Sequence, residues 1–149
     1  MLYLDAPPQF VKVFSHDTSG GLFFTPDDAL NKNPDNPNAK LFSILSQMEK
    51  YRNAEGNFHL KLCYPDVSTG ADGKRCNEWI QSSSPVTQAS ITGFKPLSIS
   101  FKNSGTIGHD FGGLAKSDSN HALIDDTGSK LTLPMLDPTK NCWSQSGIF

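Results

Sequence analysis

No stretch of this sequence approaches the ~20 apolar residues that a membrane-crossing helix needs, so no membrane insertion is expected. The N-terminal residues Met1-Leu2-Tyr3-Leu4-Asp5-Ala6-Pro7-Pro8 lack both a basic region and an apolar run, and do not read as a signal peptide. Charge is scarce. Charged residues make up 19% of the chain and the net charge is -2, with no run of Lys or Arg. Neither nucleic acid nor an anionic membrane surface is attracted by such a chain, and no nucleic-acid partner is expected. Asn-x-Ser/Thr is missing, so glycosylation says nothing about compartment.

The motifs of several enzyme classes are also missing. A serine hydrolase of the nucleophile-elbow type needs Gly-x-Ser-x-Gly, which does not occur. Gly105-Thr106-Ile107-Gly108 and Gly112-Gly113 lack the spacing of a phosphate or dinucleotide loop. A glycosidase needs two opposed carboxylates. Asp125-Asp126 are neighbours that a strand would point to opposite faces, and before Thr127-Gly128 they read as a turn. His109-Asp110 and His121 are the nearest approach to a zinc set, and turn histidines explain them better. Cys142 with His16, His59, His109 or His121 would be a thiol–imidazole option. A structural Cys142 in a turn-rich tail is the simpler reading, and the chain is not expected to be an enzyme.

What the chain does have is turn formers and aromatics. Gly (12) and Pro (10) accompany 149 residues, a length suited to a single domain over 1–149. Short strands joined by many turns are expected, in an α+β, β-rich fold: an antiparallel sheet or sandwich with one packed amphipathic helix. Residues 1–9 read as an N-terminal extension. Gln9–Phe14, Phe58–Cys63, Asn77–Gln81, Ala89–Phe94, Leu97–Phe101, Ala122–Ile124 and Leu131–Leu133 have the short, β-rich or alternating character of strands. Leu97, Ile99 and Phe101 against Ser98 and Ser100 is the cleanest alternation. Leu41, Ile44, Leu45, Met48 and Tyr51 fall at helical spacing and predict a helix over about 38–52. Asn36 or Asn38 is its expected cap and Gly56 marks the exit. Thr25-Pro26 opens a helical turn before it.

The segment around that turn is dense in oxygen ligands: Asp27, Asp28, Asn31, Asn33, Asp35, Asn36 and Asn38. Calcium would use Asp27, Asp28 and Asp35, and is the one cofactor the composition leaves open. The ligand order of an EF-hand is missing, and Asn and Asp gather at turns for local reasons, so capping is the preferred explanation.

Three cysteines occur. Cys63 and Cys76 flank the turn-forming stretch 64–75 between two strand-like segments. Strands spaced ~4.7–4.9 Å apart satisfy the reach of a disulfide, and a bridge here would staple a hairpin. Two free, buried thiols are the alternative. Cys142 is the odd one, either free and buried or bridged to a second chain.

Three strings carry a resemblance: Lys12-Val13-Phe14-Ser15-His16-Asp17-Thr18-Ser19-Gly20-Gly21-Leu22-Phe23, then Leu62-Cys63-Tyr64-Pro65 with Cys76-Asn77-Glu78-Trp79-Ile80-Gln81, and Ala122-Leu123-Ile124-Asp125-Asp126-Thr127. Together with 33–45 they resemble a poorly characterised module of invertebrate secreted and cell-surface proteins, found near adhesion and lectin-type domains. The likeness covers about 10–127. Such modules continue into a Trp-rich strand and an Ile-Pro-Gly-Pro-like stretch, whereas here 128–149 diverges and leads to Cys142-Trp143. The resemblance implies a secreted, disulfide-permissive setting and supports the Cys63–Cys76 bridge. It supplies no catalytic residues.

The expected function is therefore non-enzymatic extracellular recognition, lectin-like or adhesive, with a glycan or an extracellular protein as partner. Sugar sites join an aromatic face to a few convergent polar groups. Trp79 and Trp143 are the candidate platforms, with Asn77, Glu78, Gln81, Asn120 and Asp125 as polar partners. A core position for Trp79 is the competing reading. The alternative function is a structural, self-associating protein of an extracellular matrix or mineralised scaffold.

Overall fold

The computed structural model describes residues 9–17, 24, 28–65, 74–99, 112–116 and 124–125. Among them, strands dominate and pair antiparallel, with one short helix. β1 (Phe14–His16) pairs with β2 (Leu41–Ser43). β3 (Phe58–Pro65), β4 (Lys74–Gln81) and β5 (Lys95–Ile99) form a three-stranded sheet in the order β3-β4-β5. β6 (Ala115–Lys116) pairs with β7 (Ile124–Asp125). The helix is a 3₁₀ helix, Leu45–Tyr51.

The helix expected over 38–52 is thus shorter and tighter, and its first turn is a strand instead. Leu41, Phe42 and Ser43 are all buried. A surface helix buries one stripe, whereas a strand covered on both sides can bury consecutive residues. The backbone of 41–43 is held by β1 on one side, and by Lys32 on the other through Lys32 N–H to Ser43 O at 2.8 Å and Ser43 N–H to Lys32 O at 2.9 Å. Leu45 and Met48 do face the core as their spacing predicts, but Tyr51 is 40% exposed. Asn36 caps a turn rather than the helix, accepting from Asn38 N–H at 3.2 Å. Gly56, with φ +81°, turns the chain into β3 as expected.

Three other strand expectations shift. The first strand begins at Phe14, so only the last residue of 9–14 enters a ladder. Residues 89–94 form an irregular loop, because Ser82 and Ser83 capture its backbone: Ser82 N–H donates to Thr92 O at 2.9 Å, and Thr92 N–H donates to Ser83 Oγ at 3.0 Å. The strand expected over 97–101 begins earlier, at Lys95, and carries a bulge. Ser98 opposes Glu78 and Pro96 opposes Trp79, which leaves Leu97 as the extra residue. Leu97 is accordingly exposed, while Ile99 packs inward. Phe101, residues 122–123 and the strand expected at 131–133 lie outside the described residues.

Among the described residues, three apolar clusters make the core. Phe24, Ala29 and Leu41 form one, with Phe14 packed against it. Leu45, Met48 and Phe58 form the second, again touching Phe14, and also Leu60. Trp79 and Leu114 form the third, with Leu60, Leu62, Phe94 and Ile99. Phe14 and Leu60 each belong to two clusters and so join the β1–β2 and β3–β5 sheets. Arg52 fastens the helix end to the three-stranded sheet. Its Nη1 donates to Gly56 O at 2.6 Å and Ser82 O at 2.7 Å, and its guanidinium lies 4.1 Å from the Phe58 ring centroid.

Candidate functional site

The β3–β4 hairpin carries most of the candidate residues, and its register sorts them onto two faces. Phe58 opposes Gln81, Leu60 opposes Trp79 and Leu62 opposes Asn77 on the inner face. His59 opposes Ile80, Lys61 opposes Glu78 and Cys63 opposes Cys76 on the outer face. The alternation that made 58–63 readable as a strand is this division.

On the inner face, Asn77, Trp79 and Gln81 are each 0% exposed. The candidate platform is therefore a core residue, and no ligand in solvent reaches its indole or the two flanking amides. What lets Gln81 be buried is a saturated amide. Its Oε1 accepts from Trp79 Nε1 at 2.8 Å and from Leu114 N–H at 3.1 Å. Its Nε2 donates to Leu114 O at 2.9 Å and Ser83 O at 2.8 Å. The Gln81 side chain thus pairs with both backbone groups of Leu114, as a neighbouring strand would. A buried amide without such partners would cost several kcal/mol, on the order of 2–7.

Gly113 makes this approach feasible. It has φ +104°, and a Cβ there would stand 2.8 Å from Gln81 Oε1 and 3.2 Å from Phe94 Cδ2. Only a residue without a side chain brings 112–114 against the sheet at that distance.

The outer face holds the disulfide. Cys63 and Cys76 are directly paired in the ladder, with Cα atoms 4.1 Å apart, and are bonded. Both are partly exposed. One outward pair further along the ladder are Lys61 and Glu78. Glu78 Oε1 lies 2.8 Å from His59 Nε2, and the two side chains are 25% and 26% exposed. Phe10 packs edge-on against the His59 ring at 5.0 Å between centroids, and Lys61 Nζ sits 5.3 Å from the Phe10 centroid. Four side chains, Lys61, Phe10, His59 and Glu78, thus form a continuous cluster, exposed at Lys61 and Phe10 and half-buried at His59 and Glu78. Of these only Glu78 reads as a ligand residue from sequence. The signal for the others is phase: His59 and Lys61 have the parity opposite to Phe58, Leu60 and Leu62. Nothing local to Phe10 announces its position.

Asp125 lies in β7, paired with Ala115, and not in a turn. Asn120, Trp143, Cys142, His109, His121 and Asp27 lie outside the described residues. Asp28 forms an ion pair with Lys32, one helical turn on in sequence, and Asp35 is exposed in a turn. Asn33, with φ +48°, uses its Nδ2 to hold Leu41 O at 2.7 Å. These groups serve turns, and among the described residues no three His, Cys, Asp or Glu side chains converge as a metal set. His16 is buried against Phe24, with ring centroids 5.3 Å apart. Among the described residues no helix is long and apolar enough to cross a membrane.

No family model, no curated protein and no solved structure matches the chain.

Proposed function

We propose that this chain is a non-enzymatic recognition module that works outside the cell, of the kind its sequence resembles, binding a glycan or an extracellular protein. The observation that carries the reading is the Cys63–Cys76 disulfide, set at a directly opposed pair of the β3–β4 ladder and partly open to solvent. Disulfides of this kind persist in oxidising compartments and are rare where thiols are kept reduced. The β-sandwich belongs to the same reading, and the packing of Phe14 and Leu60 between the sheets supports it.

The test applies labelled, oxidised protein to an array of oligosaccharides and to immobilised extracellular proteins, and measures intact mass of freshly isolated native protein with and without reductant. Binding on either surface, with one intact bridge, is the expected result. Free thiols at 63 and 76 in native protein, or no binding to either surface, overturns the proposal.

The assembly reading has one observation in its favour. Among the described residues β5 is an edge strand, and Leu97 on it is 45% exposed. Pro96 and the bulge blunt that same edge, which places recognition first. Light scattering over a range of concentrations separates the two: growth of defined oligomers favours assembly, and a constant monomer mass eliminates it.

A further inference from the structure

We propose that the outer face of the β3–β4 hairpin is a saccharide site, at which Phe10, His59, Lys61 and Glu78 hold a neutral glycan. This rests on the recognition reading above and gives it a location and a ligand class. A sugar ring presents two chemistries, a patch of C–H bonds and a rim of hydroxyls that each donate and accept. The face offers both. Phe10 is 42% exposed and supplies the apolar surface. Glu78 supplies carboxylate acceptors, Lys61 supplies ammonium donors, and the His59 ring lies 2.8 Å from Glu78 Oε1 and edge-on against Phe10.

The other ligand classes fit less well. Lys61 and Glu78 are opposed across the ladder and form a locally neutral pair, and Lys95, opposite Ile80, adds one charge rather than the cluster a phosphate or sulfate site uses. A metal ion would find His59 and Glu78 but no third ligand among the described residues. An apolar peptide would need a broad apolar patch, whereas the Phe10 ring touches His59 and Lys61, and of the described exposed apolar residues only Val11 adjoins it in the chain.

Rigidity is the second support. Cys63–Cys76 is the next outward pair after Lys61–Glu78, so the disulfide locks the ladder immediately beside the site. Side chains held on a locked sheet give up less freedom on binding, which matters for a weak ligand class such as sugars. Trp79 faces the other way and is fully buried, so its fluorescence is not expected to report binding.

The experiment compares wild type, Phe10→Ala and Glu78→Gln on an array of neutral, sialylated and sulfated oligosaccharides, with calorimetry on the strongest neutral binder. Near-UV circular dichroism checks that both variants keep the wild-type fold, as expected for side chains on an outer face. Neutral glycans should bind, and each substitution should weaken them about tenfold or more. Undiminished binding in both folded variants overturns the site and leaves the recognition reading standing. So does binding confined to charged glycans. If wild type binds no glycan, this proposal falls, and recognition then survives only through binding to immobilised extracellular proteins.

Discussion

The side-chain amide of Gln81 pairs with both backbone groups of Leu114, its Nε2 to the carbonyl at 2.9 Å and its Oε1 to the N–H at 3.1 Å, across 33 residues of chain. The same oxygen accepts the indole N–H of Trp79. One polar side chain therefore joins the inner face of the sheet to the segment that covers it.

Truncating that amide should be costly. Gln81→Ala removes the acceptor of the Trp79 indole N–H and the side-chain partners of both Leu114 backbone groups, and each buried hydrogen bond lost in this way costs about 1–3 kcal/mol. A loss of about 3 kcal/mol or more is expected in urea unfolding, read as a lower midpoint with an unchanged slope. A loss below about 1 kcal/mol would mean that water replaces the amide freely, against its complete burial.

The glycines should separate by environment. Gly113→Ala meets Gln81 Oε1 at 2.8 Å and Phe94 Cδ2 at 3.2 Å in a left-handed conformation, and should cost clearly more than Gly56→Ala, where φ is +81° but the space is open. Gly56→Ala carries conformational strain alone, about 1–2 kcal/mol. Gly112→Ala meets nothing within 4 Å and should be nearly neutral. Equal costs at 113 and 112 would remove the argument for close approach.

Breaking the bridge should weaken the domain without opening its core. Cys63 and Cys76 are 13 residues apart, and a loop of that size predicts a loss of about 3 kcal/mol for the paired Cys63→Ser, Cys76→Ser variant. The bridge lies on the face away from Trp79, so near-UV circular dichroism of the folded variant should keep the Trp79 signal. Loss of that signal at low temperature without denaturant would show that the bridge holds the core itself.

Arg52 and Glu49 should differ although they form one ion pair. Arg52→Ala removes the donor to Gly56 O and Ser82 O and the contact with Phe58, and about 1.5–3 kcal/mol should go with those charge-assisted bonds. Glu49 has a side chain 59% exposed, so Glu49→Gln should cost only about 0.2–1 kcal/mol. The Arg52 hydrogen bond holds the Glu49 carboxyl below its ordinary value of 4.5, helped by the Arg52 charge and a Ser84 hydrogen bond and opposed by slight desolvation. A lowered folded-state value favours the ionised form, so this small stabilisation is complete above pH 4.5 and fades as pH falls through the folded value. The difference between wild type and Glu49→Gln should shrink accordingly on acidification. A difference that grows would reverse the sign of the coupling.

The hairpin was legible because its signals agree. Period-two alternation marks 58–63, the Pro65 and Gly-rich stretch marks the loop, and the cysteines stand where a ladder would oppose them. The region 38–52 was harder, because Leu41, Leu45 and Met48 satisfy helical spacing while Leu41-Phe42-Ser43 also suits a strand buried on both sides. Periodicity does not show which backbone partner is near. Here β1 and Lys32 are, and they take the backbone hydrogen bonds that a helix would have kept for itself.

The sequence by itself determined the strand-rich class, the placing of Cys63 and Cys76 at the mouth of one hairpin and the alternation that splits the hairpin into two faces; the bond between the two thiols is seen in the structure. Tertiary structure decided which face is the surface. Asn77 and Gln81 are polar, and beside Trp79 they look like a binding face as long as only local chemistry is considered. A polar group can be buried only when its partners arrive, and Gln81's arrive from Leu114, brought close by the missing side chain of Gly113. That closure turns Trp79 inward and leaves Phe10, His59, Lys61 and Glu78 facing solvent. No local pattern encodes it, because its contacts join residues far apart along the chain.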